Sequence, residues 1–331
     1  MSSLSNKVFD FKSLGEAYHP DLSSNPSIIP ESYFELFQWI SRFQGGKRPR
    51  VLDIDILSFA GDHGIAKLFP APKFRTGEFL LESLQKDFFK EFQVLNQNRL
   101  ELNHYWVDLG VDFQFESSLN YWLNHSNRLI NSKVKARTES FALYPAMTDM
   151  ELSAAFYNGQ KLIDRSVYQE KDMIILHSLG EGQVYSIYNL AWALSASDAQ
   201  FWQKLFPKTL NDSVIKELQK SAKRHPLSHD PFTNLCFYGG LEMIGICGAI
   251  LRCAEKGIPF LLSDPASILA LQYATKIAPG AEQYGAIIGS FGSHLKEDFL
   301  SLPEEIAYSP SGEEWGPLLW KLQQMLRQFN S

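Results

Sequence analysis

An acidic side chain flanked by glycines follows an apolar run in the middle of the chain. Glu181 lies in the segment Gly180-Glu181-Gly182, a few residues after the run 173–176. A carboxylate in a glycine-rich turn can act as a general base or stabilise a developing positive charge. The same residues also fit an acid in an exposed loop, so this segment alone leaves both interpretations open.

A second acidic segment precedes the last helical pattern of the chain. It contains Gly312, Glu313 and Glu314, followed by Trp315 and Gly316. Two acids at the start of a helix interact favourably with the helix dipole. Taken alone, this segment therefore favours helix capping over chemistry.

Two further glycine segments are candidates for ligand contacts. Asp62 and His63 stand between glycines at the end of the run 54–60. A tight turn there can expose both side chains to a ligand, but Asp62 in such a turn also caps backbone amides, and the segment alone favours capping. Gly239 and Gly240 precede an apolar helical pattern, where bare N–H groups can bind an anion or glycine can permit close packing.

The elements that must position these residues follow a repeating order. Five short apolar runs predict buried strands, at 54–60, 105–109, 173–176, 259–262 and 286–288. Amphipathic patterns predict helices at about 30–43, 77–98, 149–166, 185–196, 212–223, 240–256, 265–277 and 315–329. The order of strand, turn and helix predicts an α/β protein with a Rossmann-like, mostly parallel sheet and helices on both faces.

Parallel sheets bind ligands at the carboxyl ends of their strands, so the glycine turns are expected to form the site. The stretch 113–145 has no strong period and is predicted to be a connecting excursion. The predicted division of the chain is a Rossmann-like domain over 46–294, carrying the nucleotide and base site, and a smaller helical part built from 1–45 and 295–331.

Composition excludes several classes of function. The chain has 331 residues, 45% of them hydrophobic and 21% charged, with a net charge of -6 and no basic stripe, which argues against a nucleic-acid partner. The N-terminal segment lacks the pattern of a secretory signal, and no apolar run is long enough to span a bilayer. Three cysteines without paired spacing, Cys236, Cys247 and Cys253, favour packed thiols in a reducing compartment, and we expect a cytoplasmic protein.

Six segments of the chain are informative together: FAGDHGIA (59–66), WVDLGVD (106–112), PAMTDMELSAAFYNG (145–159), the LGE of SLGEG (178–182), YGGLEMIGICGAILRCAEKGIPFLL (238–262) and SGEEWG (311–316). In this order they resemble the nicotinate-nucleotide–dimethylbenzimidazole phosphoribosyltransferase family. Their common order and spacing make the resemblance specific, although most of the segments are short.

The resemblance implies transfer of ribose 5-phosphate from nicotinate mononucleotide to 5,6-dimethylbenzimidazole or a related azole, as in synthesis of the lower ligand of cobalamin. Glu313 falls on the family's catalytic base and Glu181 on its second acid. Nicotinate leaves as a neutral ring, so the chemistry needs no cofactor and no metal. The family also forms homodimers, which makes a homodimer the expectation here.

The expected substrate contacts come from the turns and from one lysine. They comprise Asp62, His63, Gly180, Gly182, Ser186, Lys208, Gly239, Gly240 and Gly312. Backbone N–H groups of the turn 180–182 and of Gly239 and Gly240 would face the nucleotide, and Lys208 is one of three lysines in 208–220 that could hold the phosphate.

The chain departs from the family where the phosphate is held. Val184-Tyr185-Ser186-Ile187 replaces a Gly-Ile-Gly-Asn-Thr-Thr run, and Leu218 falls on the position of the phosphate-binding lysine. Three explanations fit: rearranged contacts to the usual nucleotide, a different donor or base, or a relative that binds without turnover. The rival hypothesis is therefore a non-catalytic protein that binds a base or nucleotide and regulates a partner.

Overall fold

A computed structural model describes most of the chain between residues 4 and 287. The described residues are 4–5, 7–17, 34–47, 49–50, 52–69, 75–85, 102–115, 128–195, 199–200, 203–204, 206, 208–225, 227–287, 300–301 and 324. Apart from residue 324, the final helix predicted at 315–329 lies outside the described residues, as does the segment that carries Glu313. The division into two structural parts therefore stays a prediction.

The centre of the fold is a parallel sheet of seven strands. Its strands are β1 (Ile54–Gly61), β2 (Leu102–Gly110), β3 (Leu129–Asn131), β4 (Met173–Leu179), β5 (Phe260–Leu262), β6 (Gly285–Ile287) and β7 (Leu300–Ser301). The order across the sheet is β3-β2-β1-β4-β5-β6-β7, and every pair is parallel. This confirms the predicted Rossmann-like sheet, whose strand order reverses between β1 and β4.

Helices connect the strands and cover the sheet. The described α-helices are α1 (Phe34–Phe43), α2 (Thr76–Gln85), α3 (Asp149–Tyr168), α4 (Gln183–Leu194), α5 (Asp212–Arg224), α6 (Pro231–Tyr238), α7 (Leu241–Lys256) and α8 (Pro265–Ile277). Short 3-10 helices follow β1 at Gly64–Leu68 and precede β6 at Ala281–Tyr284.

Alternating side chains of the central strands supply two separate apolar cores. Leu57 and Phe59 of β1 belong to the larger core, with α3, α7 and α8. Ala60 of the same strand faces the other side and packs with Trp106 and Leu80 of α2. Since successive strand residues point to opposite faces, the sheet carries helices on both faces, as predicted.

Local sequence signals explain where several helices begin. Thr148 and Glu151 form a capping box at the start of α3, and Asp230 accepts two backbone N–H bonds before Pro231 opens α6. Asp264 caps α8 through the amides of Ala266 and Ser267.

The prediction missed strands β3 and β7 and helix α6, the second strand having only two residues, Leu300 and Ser301. Strand β3 lies in the stretch interpreted as a connecting excursion, because three residues are too few to show a period of two. Helix α6 was also missed, since its eight residues are apolar on most sides and give no clear amphipathic pattern.

Candidate active site at the carboxyl edge of the sheet

Two of the glycine turns predicted to carry the site are neighbours. The turn that starts at Gly61 follows β1, and the turn Gly180-Glu181-Gly182 follows β4. These strands pair in parallel, and the strand order reverses between them. Ligands of open α/β sheets bind outside the carboxyl ends of the strands at such a reversal, so the fold brings the Asp62-His63 pair and Glu181 to the expected place.

Glycine is required in the second turn for steric reasons. A Cβ atom on Gly180 would lie 1.9 Å from the carbonyl oxygen of Gly61. Gly182 has a φ of 82° and a Cβ there would lie 2.7 Å from Cβ of Ala66. The left-handed conformation and the lack of space together explain why both positions are glycine.

Hydrogen bonds hold the peptide groups on both sides of the Glu181 Cα. The Glu181 N–H donates to Oδ1 of Asp62 at 3.1 Å and to Oγ1 of Thr76 at 2.9 Å. The carbonyl oxygen of Glu181 accepts from the backbone N–H of His63 at 2.9 Å. Within the described part of the chain, no hydrogen bond or ion pair is made by the partly buried Glu181 carboxylate.

The carboxylate of Asp62 accepts hydrogen bonds from groups of the protein itself. Oδ1 also accepts from the hydroxyl of Thr76 at 2.5 Å, and Oδ2 accepts from the backbone N–H of Asp112 at 2.7 Å. The Asp62 side chain is buried, and its carbonyl oxygen accepts from the N–H of Thr138. These bonds match the capping interpretation of the turn, and a contact between Asp62 and a substrate stays a prediction.

His63 is the centre of a buried polar cluster. Its Nε2 lies 2.8 Å from Oε1 of Glu242, and its Nδ1 lies 2.7 Å from Oγ of Ser186. The side chains of His63 and Glu242 are completely buried. Oε2 of Glu242 has no hydrogen-bond partner among the described residues, so this atom is an acceptor left open beneath the turn. The predicted contacts of His63 and Ser186 with a substrate are untested.

Gln183 extends this cluster toward the neighbouring strand. Its Nε2 donates to Oε1 of Glu242 at 3.2 Å and to Oγ of Ser178 at 2.9 Å. The hydroxyl of Ser178 donates in turn to Asp264. A continuous set of side-chain hydrogen bonds therefore lies under the Glu181 turn and reaches the N-terminus of α8.

The remaining predicted contacts have different positions. Gly239 and Gly240 are buried, and a Cβ on Gly240 would lie 2.4 Å from Oε1 of Glu242. The start of α7 is therefore packed against its own first-turn acid. Lys208 is exposed in the turn before α5, and Gly312 and Glu313 lie outside the described residues.

In the segment predicted to hold the phosphate, residues 212–220 lie in helix α5 and residues 208–211 precede it. Leu218 is buried in the core, so the position of the family's lysine is occupied by an apolar side chain that points into the protein. Lys216 and Lys220, two residues to either side, are exposed on the opposite face of α5. Tyr185, in the altered run, packs its ring 4.7 Å from that of Phe69, and burial raises the pKa of its hydroxyl.

Glu242, Thr76 and Gln183 were not singled out by the sequence. Glu242 carried one signal, because it is the only acid in the apolar run 241–251, which follows two glycines. Thr76 carried none, since its partner Asp62 lies in another segment. No group of three or more His, Cys, Asp or Glu side chains in the described ranges could hold a metal ion.

The described helices include none that is both long and apolar enough to cross a membrane. All three cysteines are buried free thiols. Burial raises the pKa of the Cys236 thiol to about 11 and raises those of Cys247 and Cys253 further, which agrees with the prediction of packed thiols.

Comparisons with known proteins match this architecture. Residues 34–294 match the phosphoribosyltransferase family. Nicotinate-nucleotide–dimethylbenzimidazole phosphoribosyltransferase of Bradyrhizobium diazoefficiens is 23% identical over 262 residues, which cover 74% of this chain and 68% of that protein. The protein of the same name from Pseudomonas aeruginosa is 27% identical over 255 residues, with 74% and 68% covered. The crystal structure of the Thermus thermophilus phosphoribosyltransferase of this name superimposes with a TM-score of 0.65 at 19% identity, covering 94% of this chain and 92% of that one.

The parallel strand order, with helices on both faces of the sheet, defines an α/β protein of the Rossmann-like class. The family match spans well over half of the chain, and the chain therefore belongs to the phosphoribosyltransferase family. Its relatives identify it as a divergent member of the nicotinate-nucleotide–dimethylbenzimidazole branch, which confirms the resemblance in the sequence. At 19% identity, the solved structure supports the fold alone.

Proposed function

We propose that this chain transfers ribose 5-phosphate from nicotinate mononucleotide to 5,6-dimethylbenzimidazole or a related azole. The products are α-ribazole phosphate and nicotinate. The observation that carries the proposal is the Glu181 carboxylate, which is held at the β1/β4 reversal by its backbone and is bonded to no group in the described part of the structure. A carboxylate with this freedom can approach a ligand at the edge of the sheet.

The chemistry assigns different tasks to the two acids. The incoming azole carries an N–H proton, so a base must accept it as the new bond to the anomeric carbon forms. We assign this task to Glu313, on the basis of the family motif. Positive charge builds on the ribose as the bond to nicotinate breaks, and Glu181 would stabilise that charge or orient the acceptor.

The first test measures nicotinate release from nicotinate mononucleotide in the presence of a panel of azoles. We expect release by the wild-type chain and a loss of roughly 10²–10⁴-fold in Glu313→Gln, the range for a missing general base. Glu314→Gln is the matched control, because it removes the neighbouring acid and leaves the proposed base. A large loss in Glu314→Gln with a normal rate in Glu313→Gln would contradict the assignment.

The second candidate function is binding without turnover. It is favoured by the buried Leu218, which stands at the expected lysine position, and by the outward-facing lysines of α5. In that case titration calorimetry would detect binding of the azole or the nucleotide, while no azole of the panel would release nicotinate. Release by wild type that is lost in Glu313→Gln excludes this candidate.

The proposed substrates are small molecules, and no cofactor takes part. A homodimer and a cytoplasmic location complete the proposal. They derive from the family resemblance and from the cysteine usage, and size-exclusion chromatography with light scattering tests the first of them. A monomeric mass at micromolar concentration would contradict the homodimer.

A further inference from the structure

We propose that Thr76 is a positioning residue for Glu181, acting together with the carboxylate of Asp62. Thr76 is the first residue of α2, and its hydroxyl is buried between the two glycine turns. It donates to Oδ1 of Asp62 and accepts from the N–H of Glu181. This one hydroxyl thus connects three elements: the start of α2, the end of β1 and the turn after β4.

The consequence for Glu181 follows from its backbone. The N–H is held by two acceptors, Asp62 and Thr76, and the carbonyl oxygen is held by the N–H of His63. With both flanking peptide groups fixed, the direction of the Cα–Cβ bond is fixed as well. Only the side-chain torsions of Glu181 remain free, so the carboxylate samples a small volume beside the sheet edge. Small displacements of a positioned group can cost about 10²-fold in rate.

The two carboxylate oxygens of Asp62 accept hydrogen bonds from different segments of the chain. Oδ1 receives the bonds from Thr76 and Glu181, and Oδ2 receives the N–H of Asp112. An asparagine at position 62 could keep Oδ1 but would place an amide NH₂ against the N–H of Asp112. The carboxylate is therefore needed because all three of its partners are donors.

Thr76 offers a matched pair of substitutions. Thr76→Val keeps the shape of the side chain and removes the hydroxyl, whereas Thr76→Ser keeps the hydroxyl and removes a methyl group. Ser83→Ala is a control on the same helix, because it removes a buried hydroxyl outside this hydrogen-bond network.

Amide hydrogen exchange in the full chain tests the positioning without any need for turnover. We expect exchange at the Glu181 amide to accelerate about fivefold or more in Thr76→Val, since one of its two acceptors is lost. Thr76→Ser and Ser83→Ala should exchange as wild type does. Unchanged protection at Glu181 in Thr76→Val would overturn the proposal. If that variant loses protection throughout the chain, Thr76→Ala decides instead, because it removes the hydroxyl without placing a methyl group against Asp62: it should accelerate exchange at the Glu181 amide, and no change there would overturn the proposal.

The catalytic consequence rests on the proposed function. If wild type releases nicotinate, Thr76→Val should lower kcat about tenfold or more and leave KM for nicotinate mononucleotide within about threefold, and Thr76→Ser should restore kcat. A normal kcat in Thr76→Val with faster exchange at Glu181 would overturn the catalytic part. Absence of nicotinate release from wild type would overturn the proposed function, while the exchange result still decides whether Thr76 positions Glu181.

Discussion

His63 and Glu242 form a buried pair, with Nε2 of the imidazole 2.8 Å from Oε1 of the carboxylate and neither side chain exposed. The pair joins the turn after β1 to the first turn of α7. Its carboxylate also receives the amide of Gln183, the residue that follows the Glu181 turn. The position of the candidate catalytic acid therefore depends on a polar cluster inside the protein.

Removing one member of this pair is expected to destabilise the fold strongly. Glu242→Ala leaves Nε2 of His63 and the amide of Gln183 without a buried hydrogen-bond partner, and each buried polar group left unsatisfied costs about 1–3 kcal/mol in free energy of unfolding. Urea denaturation measures the change. Glu217→Gln is the control, because Glu217 pairs with Lys220 on the exposed surface of α5, where an ion pair contributes roughly 0–1 kcal/mol. Equal losses in free energy of unfolding from the two substitutions would contradict the prediction that the buried pair contributes more than the exposed one.

Stability is expected to fall below about pH 6.5, partly because of His104. Burial lowers the pKa of His104 to about 3, with His177 and Arg128 acting in the same direction. In the unfolded chain its pKa returns to about 6.5. The unfolded state therefore binds more protons between these values, so the contribution of His104 to stability is complete above about pH 6.5 and is lost as the pH falls toward 3.

The measurement compares thermal midpoints of wild type and His104→Gln from pH 7 to pH 5. Wild type should lose about 1–2 kcal/mol more than the variant over this range, given 1.36 kcal/mol per pKa unit. The wild type must be compared with the variant because the raised pKa values of Asp55 and Asp108 increase stability as the pH falls, which opposes the effect of His104. An unchanged slope in His104→Gln would refute the prediction.

Substitutions at two glycines with positive φ measure the cost of backbone strain separately from the cost of steric crowding. Gly45 has a φ of 73° with nothing within 4 Å of an added Cβ, whereas Gly182 has a φ of 82° and Ala66 at 2.7 Å. Gly45→Ala should cost about 1–2 kcal/mol for the left-handed conformation. Gly182→Ala should cost about 1–3 kcal/mol more, because it adds a clash. Equal losses of unfolding free energy in chemical denaturation would contradict the predicted clash at position 182.

Much of the fold could be predicted because the signals are local and repeated. The strand beginning at Ile54 and the helix 265–277 follow directly from an apolar run and from a capped amphipathic pattern. Helix α4 begins two residues before the predicted start, since Gly182 in the left-handed conformation ends the turn and leaves Gln183 as the first helical residue. Strand β3 carries no such local signal.

The site was predictable only in part. Glu181 could be placed by its glycines and by the parallel sheet, because both are expressed in consecutive residues. The partners of Asp62 could not, since Thr76, Asp112 and Glu181 come from three other segments and meet only in the folded chain. The buried pairing of His63 with Glu242 spans 179 residues and is likewise a property of the tertiary fold.

A crystal structure of the chain with bound nicotinate mononucleotide would test the central claim most directly. The quantity to measure is the distance from the ribose anomeric carbon to the carboxyl groups of Glu181 and Glu313. We predict that the ribose lies at the carboxyl ends of β1 and β4, with both carboxyl groups facing it from one cavity. A nucleotide bound away from this edge, or the two acids in separate cavities, would contradict the account.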